Sequence, residues 1–201
     1  MAGRVTGTAP GDTLGGMTTQ SPAIAISPWA DVPLQVQLEF FLRNREAFLP
    51  WEPVRSPEFF TLDGQRIINE HTRTMWENDR GYAYALHAED HGVVGRVAFS
   101  NLVRGAAQRA DVGYMVDAGL WGRGIATSGL HRSLGEAFSS LRLHRIDACI
   151  MPRNDRSRRV LEKCAFRVVG LSPRHLMIAG RWEDHIIYTL TAEDWSAQQA
   201  A

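Results

Sequence analysis

The sequence predicts an α+β domain with a mixed, mostly antiparallel central sheet and helices on both faces. Three observations carry this expectation. From Tyr82 to Asp117 the hydropathy pattern has a period of two through three successive segments joined by short turns, as in consecutive antiparallel strands. At Ala126 it changes to a helical period. Beyond that helix, strand-like and helix-like stretches alternate before a closing hairpin. With 201 residues, 44% of them apolar and 22% charged, the chain suits one domain with a single sizeable core.

Taken in order, residues 1–20 are rich in Gly, Thr and Ala and are expected to form a flexible tail, with Met17 as an alternative start. The folded domain is expected over 21–196, and a short C-terminal tail over 197–201. "AIAIS" (Ala23–Ser27) is a short strand. In "DVPLQVQLEFFLRNREAFL", Leu34, Leu38, Phe41, Leu42 and Phe48 share a helical face, and Asp31 is a candidate N-cap ahead of Pro33. Pro50, Pro53 and Pro57 then interrupt the helix and leave a rigid loop. A polar helix runs from about Asp63 to Asp79. "YAYALHA", "GVVGRVAFSNLV" and "QRADVGYMVD" are the three strands. In the next helix Ala126, Leu130, Leu134, Ala137 and Leu141 form one apolar stripe, which suits a helix lying on a sheet. "HRIDACIM" is a strand, Asn154 to Lys163 a short helix and "FRVVGLS" a strand. "RHLMIAG" and "DHIIYTL" form the final hairpin.

Composition narrows the function. Lys+Arg and Asp+Glu are both 22, so the net charge is zero, which argues against a dedicated nucleic-acid binder. Only Cys149 and Cys164 are present, and no motif has metal-ligand spacing, so neither a disulfide scaffold nor a metal site is expected. No secretion signal and no membrane-length apolar run occurs, so the expected location is cytoplasmic.

Two helix starts stand out. In "LWGRGIAT", Gly122 and Gly124 stand where a helix begins, flanking Arg123. The glycines either shape a tight turn or bare unpaired N–H groups to an anion. A P-loop would need Lys followed by Ser or Thr, and a dinucleotide fold would need G-x-G-x-x-G; neither is present. In "MPRNDRSRRVLEKCAF", Asn154 is a natural N-cap, yet Arg153, Arg156, Arg158 and Arg159 crowd the first turn against the helix dipole. An anionic ligand would reverse that cost. Two such starts suggest a long ligand with separated phosphates, a layout that coenzyme A has.

"W-G-R-G-I-A-T" followed by "N-x-x-S-x-x-V-L-E-K-C-A-F" resembles the two acetyl-CoA motifs of the GNAT acetyltransferases. "RSRRVLEKCAFRVVG" with "IAGRWEDHIIYTL" is similar, more narrowly, to the Rim-type ribosomal-protein-alanine N-acetyltransferases. The likeness covers about residues 22–195. It implies the GNAT fold, with acetyl-CoA as cosubstrate and no metal. It also implies pantetheine paired along Met115 and Val116, and pyrophosphate held by the N–H groups of Gly122, Arg123, Gly124, Ile125 and Ala126. Asn154 would contact the pantetheine or acetyl end, and Arg158 would lie near the cosubstrate. The family's usual acid tyrosine falls at Leu161, so the resemblance passes proton donation to Ser157. Where some relatives carry a base glutamate this chain has Arg174, beside His175, which is the expected base; Glu70, Asp111 and Glu183 are alternatives. Trp51, Trp76 and the final hairpin would frame the acceptor. Both cysteines are expected to be core residues.

The expected reaction is direct attack of a primary amine on the thioester. An α-amino group, with a pKa near ~8 against ~10.4 for lysine, needs less help from a base. A protein N-terminus, such as that of a ribosomal protein, is therefore the expected acceptor. A small amine such as an antibiotic or a polyamine is the alternative, as is a sensor that binds acyl-CoA without chemistry. No membrane partner and no direct nucleic-acid contact is expected.

Overall fold

The alternation read between Tyr82 and Asp117 becomes three neighbouring strands in the computed structural model, which describes residues 22–200. Twelve regular elements follow in order: β1 (Ile24–Pro28), α1 (Leu34–Phe48), α2 (Leu62–Glu77), β2 (Tyr82–Ala88), β3 (Gly92–Val103), β4 (Arg109–Val116), α3 (Ile125–Ser139), β5 (Arg145–Ile150), α4 (Asp155–Lys163), β6 (Arg167–Ile178), β7 (Arg181–Thr191) and α5 (Ala192–Gln199). The strands form one seven-stranded sheet in the order β1-β2-β3-β4-β5-β7-β6. Every neighbouring pair is antiparallel except β4 and β5.

Side-chain alternation sends successive residues to opposite faces, and each face has its own core. Tyr84, Leu86, Val97, Val112, Ile146, Ala148 and Tyr188 join Leu130, Leu134 and Ala137 of α3, Leu161 of α4 and Trp195 of α5. On the opposite face Ala83, Ala85 and Val93 join Trp29 with Phe40, Phe41 and Phe48 of α1. Helices thus cover both faces, as expected. Gly129 lets α3 settle on the sheet, because a Cβ there would lie 2.4 Å from Leu86 Cδ1.

Several expectations need correction. Asp31 does not cap α1: Pro33 holds that position, and Asp31 pairs instead with Arg73 at 3.3 Å. The buried face of α1 contains Gln37 and Asn44, while Leu42 is exposed. Both polar residues make buried hydrogen bonds that sequence pattern does not reveal, although Gln37 Oε1 has no partner among the described residues. Gln37 Nε2 donates to the Val32 carbonyl at 2.8 Å, and Asn44 Oδ1 accepts from the Ala118 N–H at 2.8 Å.

The segments expected as a strand followed by half of a hairpin are one long strand, β6. Pro173 lies between the two segments; the register shifts between Ser172 and Leu176 and the strand continues past it. β6 ends the sheet order, and an edge strand tolerates a residue without an N–H. The tail expected over 197–201 begins inside α5, where Thr191 Oγ1 accepts from the Asp194 N–H and caps the helix. The tail expected over 1–20 lies outside the described residues.

Candidate functional site

The parallel pairing of β4 with β5 ends at Asp111 opposite Asp147. Beyond it β4 stays paired to β3 as far as Val116, and β5 to β7 as far as Ile150, so their inner edges diverge. A cleft of about 970 Å³ opens in the gap. Its walls are Val112–Val116 of β4, Ala148–Met151 on and just after β5, the beginnings of α3 and α4, and the loop after α1. Because neighbouring residues of a strand face opposite ways, the cleft connects the two faces of the sheet. Tyr114 and Val116 belong to the α3 side, Met115 to the α1 side.

On the α3 side the helix begins without a side-chain cap. Gly122 and Gly124 both have φ +80°, a left-handed conformation that costs other residues strain. The first-turn N–H groups border the cleft with the helix dipole behind them. Trp121 fixes the approach: its Nε1–H donates to the Val116 carbonyl at 2.9 Å, and the Arg156 guanidinium lies 4.5 Å from its ring centroid. Arg156, Arg159 and Lys163 line the cleft and keep this side cationic.

At the start of α4, Asn154 Oδ1 accepts from the Ser157 N–H at 3.1 Å, as a cap should. The Ser157 hydroxyl lies 2.6 Å from the Tyr114 hydroxyl, and Tyr114 also donates to the Ser157 carbonyl at 3.1 Å. With the phenolic hydrogen on that carbonyl, the short contact has Ser157 donating to Tyr114. Burial pushes the Tyr114 phenol well above its usual range, so it stays protonated.

The α1 side is built differently. Phe48, Trp51, Glu52 and Arg55 come from the end of α1 and the loop that follows. The Ala179 N–H donates to the Glu52 carbonyl at 3.0 Å, tying that loop to the β6–β7 turn. Arg96 of β3, Arg153 and His185 of β7 complete the wall. His185 is buried, and its Nδ1 lies 3.0 Å from the Glu183 carbonyl. A carbonyl only accepts, so Nδ1 carries the hydrogen and Nε2 keeps a free lone pair. Burial lowers the His185 pKa, so the ring is neutral at neutral pH.

Met115, Val116, Gly122, Gly124, Ile125, Ala126, Asn154 and Ser157 all border the cleft. Arg123 and Arg158 do not; Arg123 is exposed, and Arg158, partly buried, is held along its own helix by Asp155 and Glu162. His175 is also exposed and outside the cleft, its Nδ1 3.0 Å from Ser172 Oγ. The histidine on the cleft is His185. Among the alternative bases, Glu70 pairs with Arg66, Asp111 with Arg109 and Glu183 with Arg153.

Trp51 borders the cleft, whereas Trp76 packs edge-on against Tyr82 and Tyr84 in the core. Leu161 is fully buried, so a cleft tyrosine has no room at that position. Cys164 is core, as expected. Cys149 is half-buried on the cleft wall, where burial and then Asp111 raise its thiol pKa and suppress thiolate. Sequence reading missed Tyr114, Arg96 and His185 as residues of the cleft. For Tyr114 a signal existed: it sits in a strand whose phase fixes the face it joins.

Comparison with known proteins fits this geometry. The family model for the acetyltransferase (GNAT) domain matches residues 30–167. The probable N-acetyltransferase YjcK of Bacillus subtilis (strain 168) is 36% identical over 152 residues, 75% of this chain and 84% of that protein. The ribosomal protein uS5-alanine N-acetyltransferase of Escherichia coli (strain K12) is 29% identical over 162 residues, 79% of this chain and 82% of that protein. Mycobacterium smegmatis RimJ, solved in complex with CoA-disulfide, matches with a TM-score of 0.80 at 29% identity, covering 87% of this chain and 84% of that one.

Proposed function

The chain belongs to the GNAT acetyltransferase family, and from that premise we propose that it moves an acetyl group from acetyl-CoA to the N-terminal α-amine of a protein, with a ribosomal protein as the foremost acceptor. The observation that carries the reading is a cleft that passes through the sheet between two unlike walls. One wall offers uncapped helix N–H groups and cationic side chains to phosphates. The other offers an aromatic loop and a neutral histidine to an amine.

Acetyl-CoA would lie with its pyrophosphate against the N–H groups of Gly124, Ile125 and Ala126. Gly122, Arg156 and Arg159 flank them, and the exposed Arg123 adds charge at longer range. Its arm would run along the open edge of β4 at Met115 and Val116, as an added strand does. The carboxamide of Asn154, whose oxygen is engaged by the Ser157 N–H, has its NH₂ group to offer the arm.

In the reaction, the neutral amine attacks the thioester carbon and the carbonyl oxygen gains charge, which free backbone N–H groups of β4 stabilise. As the C–S bond breaks, the amine loses a proton and the sulfur leaves as a thiolate, which takes its proton from water afterwards. His185, with Nε2 free on the acceptor wall, is suited to take the amine proton. A serine hydroxyl and a buried phenol are weaker acids than a thiol of pKa about 8.5, so full proton transfer from either to sulfur is uphill. Ser157 acts instead by turning its hydroxyl hydrogen from Tyr114 to the departing sulfur, while the Tyr114 hydrogen turns from the Ser157 carbonyl to Ser157 Oγ; either hydroxyl can donate in their 2.6 Å contact, so Tyr114 is a positioning residue for Ser157.

The test is turnover with acetyl-CoA and Ala- or Ser-start peptides that contain an internal lysine, with mass analysis of the product. Acetyl mass confined to the α-amine supports the proposal. Acetylation of lysine or of small amines only would move the acceptor, and tight acetyl-CoA binding without turnover would leave a sensor.

A further inference from the structure

One cation of the acceptor wall stands outside the ion pairs found among the described residues. Arg96 stands opposite Met115 in the β3–β4 register, on the α1 side of the cleft. Its Nε is buried without a hydrogen-bond partner, and its guanidinium lies 5.5 Å from the Trp29 ring centroid. No carboxylate among the described residues forms an ion pair with it. Nearby Glu52 is engaged by Arg55 at 3.4 Å, and Glu183 by Arg153 at 3.0 Å. Burial brings the Arg96 pKa down to about 10, with Arg55 adding repulsion, yet the group is charged at neutral pH.

Burying part of an unpaired guanidinium costs free energy, and packing on Trp29 does not require a charge. The cost is offset when a ligand brings oxygen acceptors to the guanidinium fork. We infer that Arg96 reads the acceptor by donating N–H groups to the carbonyl oxygen next to the reacting amine. The inference rests on the proposed acetyl transfer and narrows it: the site takes α-amino acyl chains, which are peptide N-termini. It also turns away polyamines, which would bring further positive charges to Arg55, Arg96 and Arg153 with no oxygen to offer.

The experiment measures kcat and KM at saturating acetyl-CoA for the wild type, R96Q and R96K. The acceptors are an Ala-start peptide, isopropylamine (the same amine and methyl group without the carbonyl) and spermidine. Melting temperature and acetyl-CoA affinity serve as controls for folding. In R96Q the peptide KM should rise about 10- to 100-fold with kcat within about threefold, the loss expected for hydrogen bonds to a charged group. Isopropylamine should be unaffected, R96K should recover part of the loss, and the preference for peptide over spermidine should shrink. An unchanged peptide KM in R96Q overturns the inference while leaving α-amine transfer by the wild type intact. So does an equal loss on peptide and isopropylamine. A wild type that acetylates no peptide N-terminus removes the proposed acceptor, and this inference with it.

Discussion

Replacing Gly124 separates the two things that residue does. It is the N-cap of α3 with φ +80°, and a Cβ there would meet Pro22 Cδ at 3.3 Å. Any L-residue in this left-handed conformation loses about 1–2 kcal/mol. For a chain of this size each kcal/mol lowers the melting temperature by about 2–4 °C. Gly124→Ala carries that strain in full and should melt about 2–8 °C lower; Gly124→Asp should lose no more than that, because aspartate tolerates the left-handed region better. Only aspartate adds a negative charge where the pyrophosphate is expected. One unit-charge repulsion across ~5 Å, at an effective dielectric of ~20, is ~3 kcal/mol. That corresponds to a loss of acetyl-CoA affinity of about 200-fold, at ~1.4 kcal/mol per tenfold. Calorimetric titration of acetyl-CoA into the three proteins at low salt reads this directly, and added salt should narrow the gap by screening. If Gly124→Asp binds within about threefold of Gly124→Ala, charge at this helix start is irrelevant and the pyrophosphate assignment is refuted.

Ser157→Ala should lower kcat about tenfold while leaving acetyl-CoA affinity unchanged, because the cap contact uses the backbone N–H of Ser157. Tyr114→Phe removes the 2.6 Å contact and should reduce kcat in the same direction, at about 1 kcal/mol of stability in denaturant unfolding. His185→Gln should cut kcat by about 100-fold or more in a stopped assay of CoA release. In the wild type the acid limb of the kcat profile should fall below pH 6.5, because burial lowers the His185 pKa from that value; Glu183, His175 and Arg153 are the charged groups that act on it. The same depression makes the unfolded chain bind the proton more tightly, so stability should decline as pH falls through 6.5, and His185→Gln should flatten that decline in thermal melts. Leu161→Tyr should not supply an acid; overfilling a fully buried site should cost about 1–3 kcal/mol, seen as a lower melting temperature without a gain in rate.

Where local pattern and tertiary demand agree, the sequence was legible. The period-two runs end within a residue of the bounds of β2, β3 and β4, because each of these strands has a distinct core on either side. Asn154 and the paired glycines mark helix starts through backbone chemistry alone, and they border the cleft. The two segments expected around Pro173 are one strand because the effect of proline depends on strand position: at the sheet edge it makes an irregularity, where in a central strand it would break pairing. α5 was missed although Thr191 and Asp194 spell a cap, because the apolar signal of that helix is little more than Trp195. That His185 borders the cleft and His175 does not becomes visible only once the β6–β7 register is known, since a one-residue change of phase exchanges the faces. Arg96 gave no signal at all. An arginine in a strand reads as solvated until its surroundings are known to withhold a partner.

A structure of the protein with CoA and an Ala-start peptide bound together tests the account most directly. It should show pyrophosphate against the N–H groups of Gly124 to Ala126, sulfur beside Ser157, and the peptide amine arriving from the α1 side between Arg96 and His185. Pyrophosphate seated away from the start of α3, or both ligands entering from one face of the sheet, would contradict it.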